Sequence, residues 1–218
     1  MNDAIVNING SNVQTLELFF LLTVMMLLPS IIIMMTSFTR IIIVLSFTRT
    51  AIGTQQTPPN MVLIGIALFL TLFIMSPVLD EINEQAYIPY KNDEITQEEA
   101  LERASVPLRT FMLKQTETES LNMYLDFAGE EMPENLDELP MRVVIPAFMT
   151  SELKRGFIIG FLLFIPFLLI DMVVSSALMS MGMIMLPPAT ISLPFKLLLF
   201  VTVDGWQLLF TTLVKGFS

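Results

Sequence analysis

The 218-residue chain contains neither cysteine nor histidine. Disulfides and thiolate chemistry are excluded by the first absence, and both together exclude Cys/His metal sites and Ser-His or Cys-His catalytic dyads. Charge is also scarce. Asp, Glu, Lys and Arg make up 15% of the residues, against roughly 25% in a soluble domain. Only 11 residues are basic while 21 are acidic, which excludes nucleic acid as a natural partner, because displacing phosphate counterions needs Lys and Arg. Apolar residues fill the space, at 54% of the chain and a mean hydropathy of +0.70. Such a composition belongs to a membrane protein, to be divided into spans of roughly 20 residues rather than into soluble domains.

The net charge of −10 is confined to one region. Residues 80–155 hold 17 acidic and 7 basic side chains, and everything outside them balances. Apolar stretches flank this insert. Leu18–Phe47 is nearly continuous, broken by Pro29, Thr36-Ser37 and Arg40; Met61–Leu79 is uncharged; Gly156–Leu186 carries only Asp171; Ile191–Val214 carries Lys196 and Asp204. These predict an all-α membrane protein with about four long, kinked hydrophobic helices and a small helical insert. Two stretches are overlong, since about 30 residues extend roughly 45 Å against a hydrocarbon core of roughly 30 Å, so they must tilt, bend or project. The expected organisation is an N-terminal helical region over 1–79 with a cytoplasmic turn at 48–60, an acidic extracytoplasmic insert over 80–150, and a C-terminal hairpin over 151–218 with a Met-rich loop. Arg40 and Arg49, with no acid nearby in sequence, assign the first turn to the cytoplasm, with Gln55 inside and Asn92 and Asn135 outside. Met1–Gln14 is polar, without a basic start or small-residue cleavage site, so no signal peptide is read there.

Within the insert, Thr96-Gln97-Glu98-Glu99 fits a capping box, and Leu121, Tyr124, Leu125 and Ala128 recur at helical spacing before Gly129. Pro107 should bend or divide its helix, and Thr150 or Ser151 should cap the next one. Chemistry is sparse. Glu98-Glu99 and Glu130-Glu131 read as solvated faces, and Asp171 and Asp204 lack any motif for an aspartyl catalyst. The chain is expected to be no enzyme and to need no cofactor or metal.

Longer words carry more information. Pro29-Ser30, Met34-Met35-Thr36-Ser37-Phe38-Thr39-Arg40 with the run to Phe47, and Gly53-Thr54-Gln55-Gln56-Thr57-Pro58-Pro59-Asn60 form one block. A second contains Ser151-Glu152-Leu153-Lys154, Gly160–Phe167, Ile170-Asp171, Met179-Ser180-Met181-Gly182-Met183, Leu186-Pro187-Pro188, Ser192-Leu193-Pro194-Phe195-Lys196 and Val203-Asp204-Gly205-Trp206. In this order, over about two thirds of the chain, they resemble the FliP family of type III secretion export gates, in its flagellar branch. The resemblance implies a pore-forming subunit of a bacterial inner-membrane gate in the flagellar basal body, much of it on the extracytoplasmic side. It also implies a homo-oligomer of five copies with FliQ- and FliR-type subunits and other basal-body proteins, in contact with membrane lipid and passing unfolded rod, hook and filament proteins. Members commonly begin with a cleaved signal sequence, which this chain does not show.

Three features can be read beside the resemblance. Met179, Met181, Met183 and Met185 alternate around Gly182, which suits no regular helix face, because every second residue turns about 200°. They either fill core gaps or form a loop facing a pore. The family's Met-rich gasket corresponds to Met183, Ile184 and Met185, with Ile184 where Met is common. Asp171, Lys196 and Asp204 are charges within apolar helices, either a structural pair or a proton-linked path; a small ion or solute transporter using all three is the rival reading. Counted from Pro187 along a straight hairpin, Asp171 and Lys196 differ by about 10 Å in depth, so pairing should require a neighbouring subunit or a break at Pro194. Finally, the polar turn with Arg49, Gln55, Gln56, Pro58 and Pro59, entered from Arg40, is either a solvated loop or a contact site for other export components.

Overall fold

The computed structural model describes residues 5–8, 11–54, 56–133 and 135–217. A short antiparallel hairpin, β1 (Ile5–Ile8) and β2 (Ser11–Gln14), pairs Ile5 with Gln14 and Ile8 with Ser11; it is an addition to the all-helical expectation. The rest is helical: α1 (Thr15–Met35), α2 (Phe38–Ile52), α3 (Asn60–Ile82), a π-helical turn over Asn83–Tyr87 running into α4 (Ile88–Lys91), α5 (Gln97–Gln115), α6 (Thr118–Ala128), α7 (Met141–Ser180), α8 (Pro188–Thr202) and α9 (Gly205–Lys215).

The four apolar stretches become four helical units. Asn60–Lys91 and Met141–Ser180 are each long and apolar enough to cross a membrane. Pro29–Met35 with α2, bent by 81°, and α8 with α9, bent by 60°, pass the same test as broken pairs. The first bend falls at Thr36-Ser37, where Thr36 Oγ1 turns back onto the Ile32 carbonyl and Thr39 Oγ1 donates to the Ile33 carbonyl at 2.7 Å, so side chains satisfy groups freed by the broken ladder. Forty residues make α7 about 60 Å long. Only 11% of its most apolar window is buried within the chain, leaving a surface that demands lipid or other subunits.

Two expectations about helix ends are corrected. Pro107 does not divide α5, which runs through it as one helix with the proline buried; packing of that face offsets the lost backbone bond. Nor do Thr150 and Ser151 cap a helix, because α7 begins at Met141 after Pro140. Ser151 Oγ instead donates to the Ala147 carbonyl at 2.9 Å and accepts the Glu117 amide at 3.0 Å, and the Tyr124 hydroxyl meets Thr150 Oγ1 at 3.1 Å. Both hydroxyls therefore face the insert and tie α6 onto α7. Thr96 does cap α5, its hydroxyl accepting the Glu99 amide at 3.3 Å, and Gly129 ends α6 in the left-handed region at φ +66°.

The acidic insert shares the core of the apolar helices. One cluster joins Ile41 and Leu45 of α2, Leu63 of α3, Met112 of α5, Leu121 of α6 and Phe148 of α7. Among the described residues, most of the insert's acids lie outward while its apolar stripe is buried, as helical periodicity demands. Along α2 and α7 the backbones approach closely at two glycines. A Cβ at Gly156 would stand 3.1 Å from Ile43, and one at Gly160 only 2.5 Å from the Phe47 ring, the close approach that small residues four apart permit.

Candidate functional site

At the far tip of α7 the chain turns sharply. The Gly182 amide bonds to the Met179 carbonyl at 3.0 Å and the Met183 amide to the Leu178 carbonyl at 2.9 Å, with Gly182 at φ +74°. This pair of bonds ends a helix where glycine can take the left-handed conformation. Pro187 and Pro188 then start α8, where a missing amide costs nothing. Met179 is therefore still helical, contrary to the alternation reading, and the non-helical stretch is Met181–Pro187. Its side chains project: Met181 and Met183 are exposed, Ile184 is 82% exposed and Met185 98%. In the single chain these methionines fill no core.

Behind this tip lies an ion pair. Lys196 Nζ donates to Asp171 Oδ2 at 2.6 Å and to the Ala51 carbonyl at 3.2 Å, while Ser192 Oγ donates to Asp171 Oδ1 at 2.5 Å. The pair closes within one chain. No neighbouring subunit is needed, and α8 continues unbroken through Pro194. The depth count from Pro187 misled because the seven residues Met181–Pro187 are not helical. Measured from the helix ends, Asp171 is nine residues before Ser180 and Lys196 eight after Pro188, roughly 13.5 and 12 Å, so the two lie level. Asp204 is not part of this group: exposed at the break before α9, with φ +49°, it makes no ion pair among the described residues.

Arg40 departs furthest from expectation. It lies in the first turns of α2, buried, rather than in the turn after it. Its Nε donates to Glu152 Oε2 at 2.9 Å, Nη2 reaches Glu152 Oε1 and, at 3.1 Å, Gln115 Oε1, and Nη1 donates to the Gly216 carbonyl at 3.3 Å. The guanidinium carbon sits 3.8 Å from the centre of the Phe217 ring. Its acid is 112 residues away in sequence, so a local search for a counter-charge missed it, and Lys154 and Arg155 directly after Glu152 offered that acid nearer partners. The turn proper is pinned by Arg49, whose Nη1 donates to the Pro58 carbonyl at 3.2 Å and to Asn60 Oδ1 at 2.6 Å. Gln56 and Pro59 are exposed and Pro58 is half-buried; Gln55 lies outside the described residues.

The glycine-spaced helices, the Pro-Pro stop and the paired charges fall within one recognisable pattern, since the model of the FliP family matches residues 21–213. The chain belongs to the FliP family. It is 54% identical over 204 residues to the flagellar biosynthetic protein FliP of Bacillus subtilis, covering 94% of this chain and 92% of that one. With the protein of the same name from Pectobacterium carotovorum it shares 56% identity over 213 residues, 96% and 82% of the two chains, and with that of Aquifex aeolicus 51% over 211 residues, 96% and 88%. Family membership and the long apolar helices make it a membrane-associated component of flagellar biosynthesis and export.

Proposed function

We propose that the chain is a pore-forming subunit of the flagellar type III protein export gate, in the inner membrane at the basal body, through which unfolded rod, hook and filament proteins leave the cytoplasm. Several copies, five by family resemblance, assemble with FliQ- and FliR-type subunits, and much of the complex stands on the extracytoplasmic side. The observation that carries this reading is the projecting turn Met183-Ile184-Met185, whose apolar side chains have no partner role in the single chain. Ringed about an axis, thioether and branched side chains make a dewetted constriction that resists ions and repacks around a passing chain of any sequence. The bare flank of α7 supports assembly, because so much apolar surface is not stable in water. A transporter path through Asp171, Lys196 and Asp204 has less support, since the first two neutralise each other and the third stands apart.

Coexpression tests the reading. Purified with its FliQ- and FliR-type partners, the chain should give ring-like particles by negative stain. A monodisperse single chain that binds a small solute and retains neither partner would overturn it.

A further inference from the structure

The C-terminal helix α9 is held differently at its two ends. At its start, α8 gives way at Val203 and at Asp204, which occupies the left-handed region at φ +49° and ψ +48°, and the axis turns by 60°. Such a residue carries no helical ladder across the break, so α8 and α9 meet at a pivot. Gly205 makes the closeness possible, because a Cβ there would stand 2.3 Å from the Phe200 ring, and Trp206 packs edge-on against the same ring with centroids 5.1 Å apart.

Between its ends α9 buries a single stripe, Leu209 and Leu213, continued by Phe217. Open space lies on both flanks. A cavity of about 460 Å³ separates Leu208 and Thr212 from Ile159 and Leu163 of α7, and one of about 390 Å³ lies between Val214 or Phe217 and Phe73 or Pro77 of α3. Side chains beside empty volume forfeit dispersion contacts, so α9 is held along its middle by the narrow Leu209–Leu213 stripe, which joins the main core, and little on its flanks.

The far end is gripped instead. The Phe217 ring lies under the Arg40 guanidinium and stacks on Phe111 at 6.2 Å and 17°. Arg40 Nη1 donates to the Gly216 carbonyl at 3.3 Å, and Gln115 Nε2 to the Phe217 carbonyl at 3.4 Å. Glu152, taking two other donors of Arg40, fixes the plane of the guanidinium above the ring. Two residues thus concentrate contacts from α2 and α5.

We propose that α9 is a hinged arm, pivoting at Val203–Gly205 and latched at Gly216-Phe217 by Arg40, so that it opens as a unit while α2 and α7 stay folded. The same guanidinium that joins the insert to α7 also holds the arm shut, and the cavities on either flank give it room to swing.

Amide exchange on the unmodified full-length chain in detergent gives the first test. Residues 205–215 should exchange together at least tenfold faster than α2 and the α7 segment 141–167, by a sub-global opening. Exchange at the core rate, or fraying one residue at a time from Lys215, would overturn the proposal. Trp206, the chain's single tryptophan, reports the arm directly. Phe217→Ala should raise acrylamide quenching of Trp206 at least threefold and α9 exchange a further tenfold, leaving α2 and α7 unchanged, while Phe217→Tyr, which keeps the ring face, should behave as the parent. If Phe217→Ala accelerates exchange in α2 and α7 equally, abolishes folding, or leaves Trp206 as shielded as before, Phe217 is an ordinary core residue and there is no latch.

Discussion

Glu152→Gln isolates the energetics of the buried node. The change keeps the side chain's shape and removes its charge, at a position where Arg40 and Glu152 expose only 4% and 0% of their side chains. Arg40 then retains Gln115, the Gly216 carbonyl and the Phe217 ring but loses the one counter-charge it has among the described residues. Stranding one member of a buried ion pair costs about 3 to 5 kcal/mol. With roughly 2–4 °C of melting temperature per kcal/mol for a chain of this size, the transition should fall by roughly 6–20 °C. Trp206 emission during heating in detergent is a suitable assay. Replacing both members by apolar side chains, Arg40→Met with Glu152→Leu, leaves neither a stranded charge nor an unpaired amide in place of the pair and should recover part of the loss, since apolar replacement of a whole buried pair is often neutral or better. A shift below about 2 °C for Glu152→Gln, under roughly 1 kcal/mol, would refute the reasoning, as would a double variant less stable than the single one.

Asp171→Asn should destabilise the isolated chain by about 3 to 5 kcal/mol, and exchanging Asp171 with Lys196 should recover part of that; if protease resistance of the monomeric chain is unaffected and only oligomers suffer, the pair acts between subunits after all. Gly160→Ala should cost about 1–3 kcal/mol by overpacking against Phe47, and Phe47→Leu in the same chain should relieve it, both read from denaturation midpoints. Because there is no native cysteine, single cysteines can be labelled without background. Those at Asn92 and Asn135 should react with an impermeant maleimide from outside and one at Gln56 should not; reaction at Gln56 alone reverses the orientation. With Arg40 neutralised by Glu152, Arg49 is the turn's remaining positive charge behind this last prediction.

Much of the architecture was legible because apolar runs, caps and Gly/Pro stops act locally. Thr36-Ser37 marked the first bend, Thr96 the start of α5 and Gly129 the end of α6, whereas Pro187-Pro188 does not stop α7, which ends at Ser180. An internal proline misled, since Pro107 lies inside a helix whose packed face outweighs a missing backbone bond. The exposure of Met183–Met185 agrees with one of the two readings that the methionine alternation left open, and their side chains fill no core in the single chain. The site was illegible where Arg40 pairs with Glu152 across 112 positions; Asp171 and Lys196 were expected to pair, but through a neighbouring subunit or a break at Pro194, because the helix ends that set their register could not be placed from sequence. Helical content can be read from periodicity, but depth depends on where each helix stops, and a slip of seven non-helical residues shifts depth by roughly 10 Å.

The pore claim is tested most directly by replacing Met183, Ile184 and Met185 together with Ala and measuring, on one preparation, particle yield and membrane ion conductance. Exposed side chains contribute little to folding of the single chain, so yield should hold while conductance rises and growth slows on expression. An intact particle with unchanged conductance would remove the constriction, and a particle that falls apart before any leak appears would make these residues packing at a subunit interface, at roughly 2 to 5 kcal/mol for each buried Met→Ala.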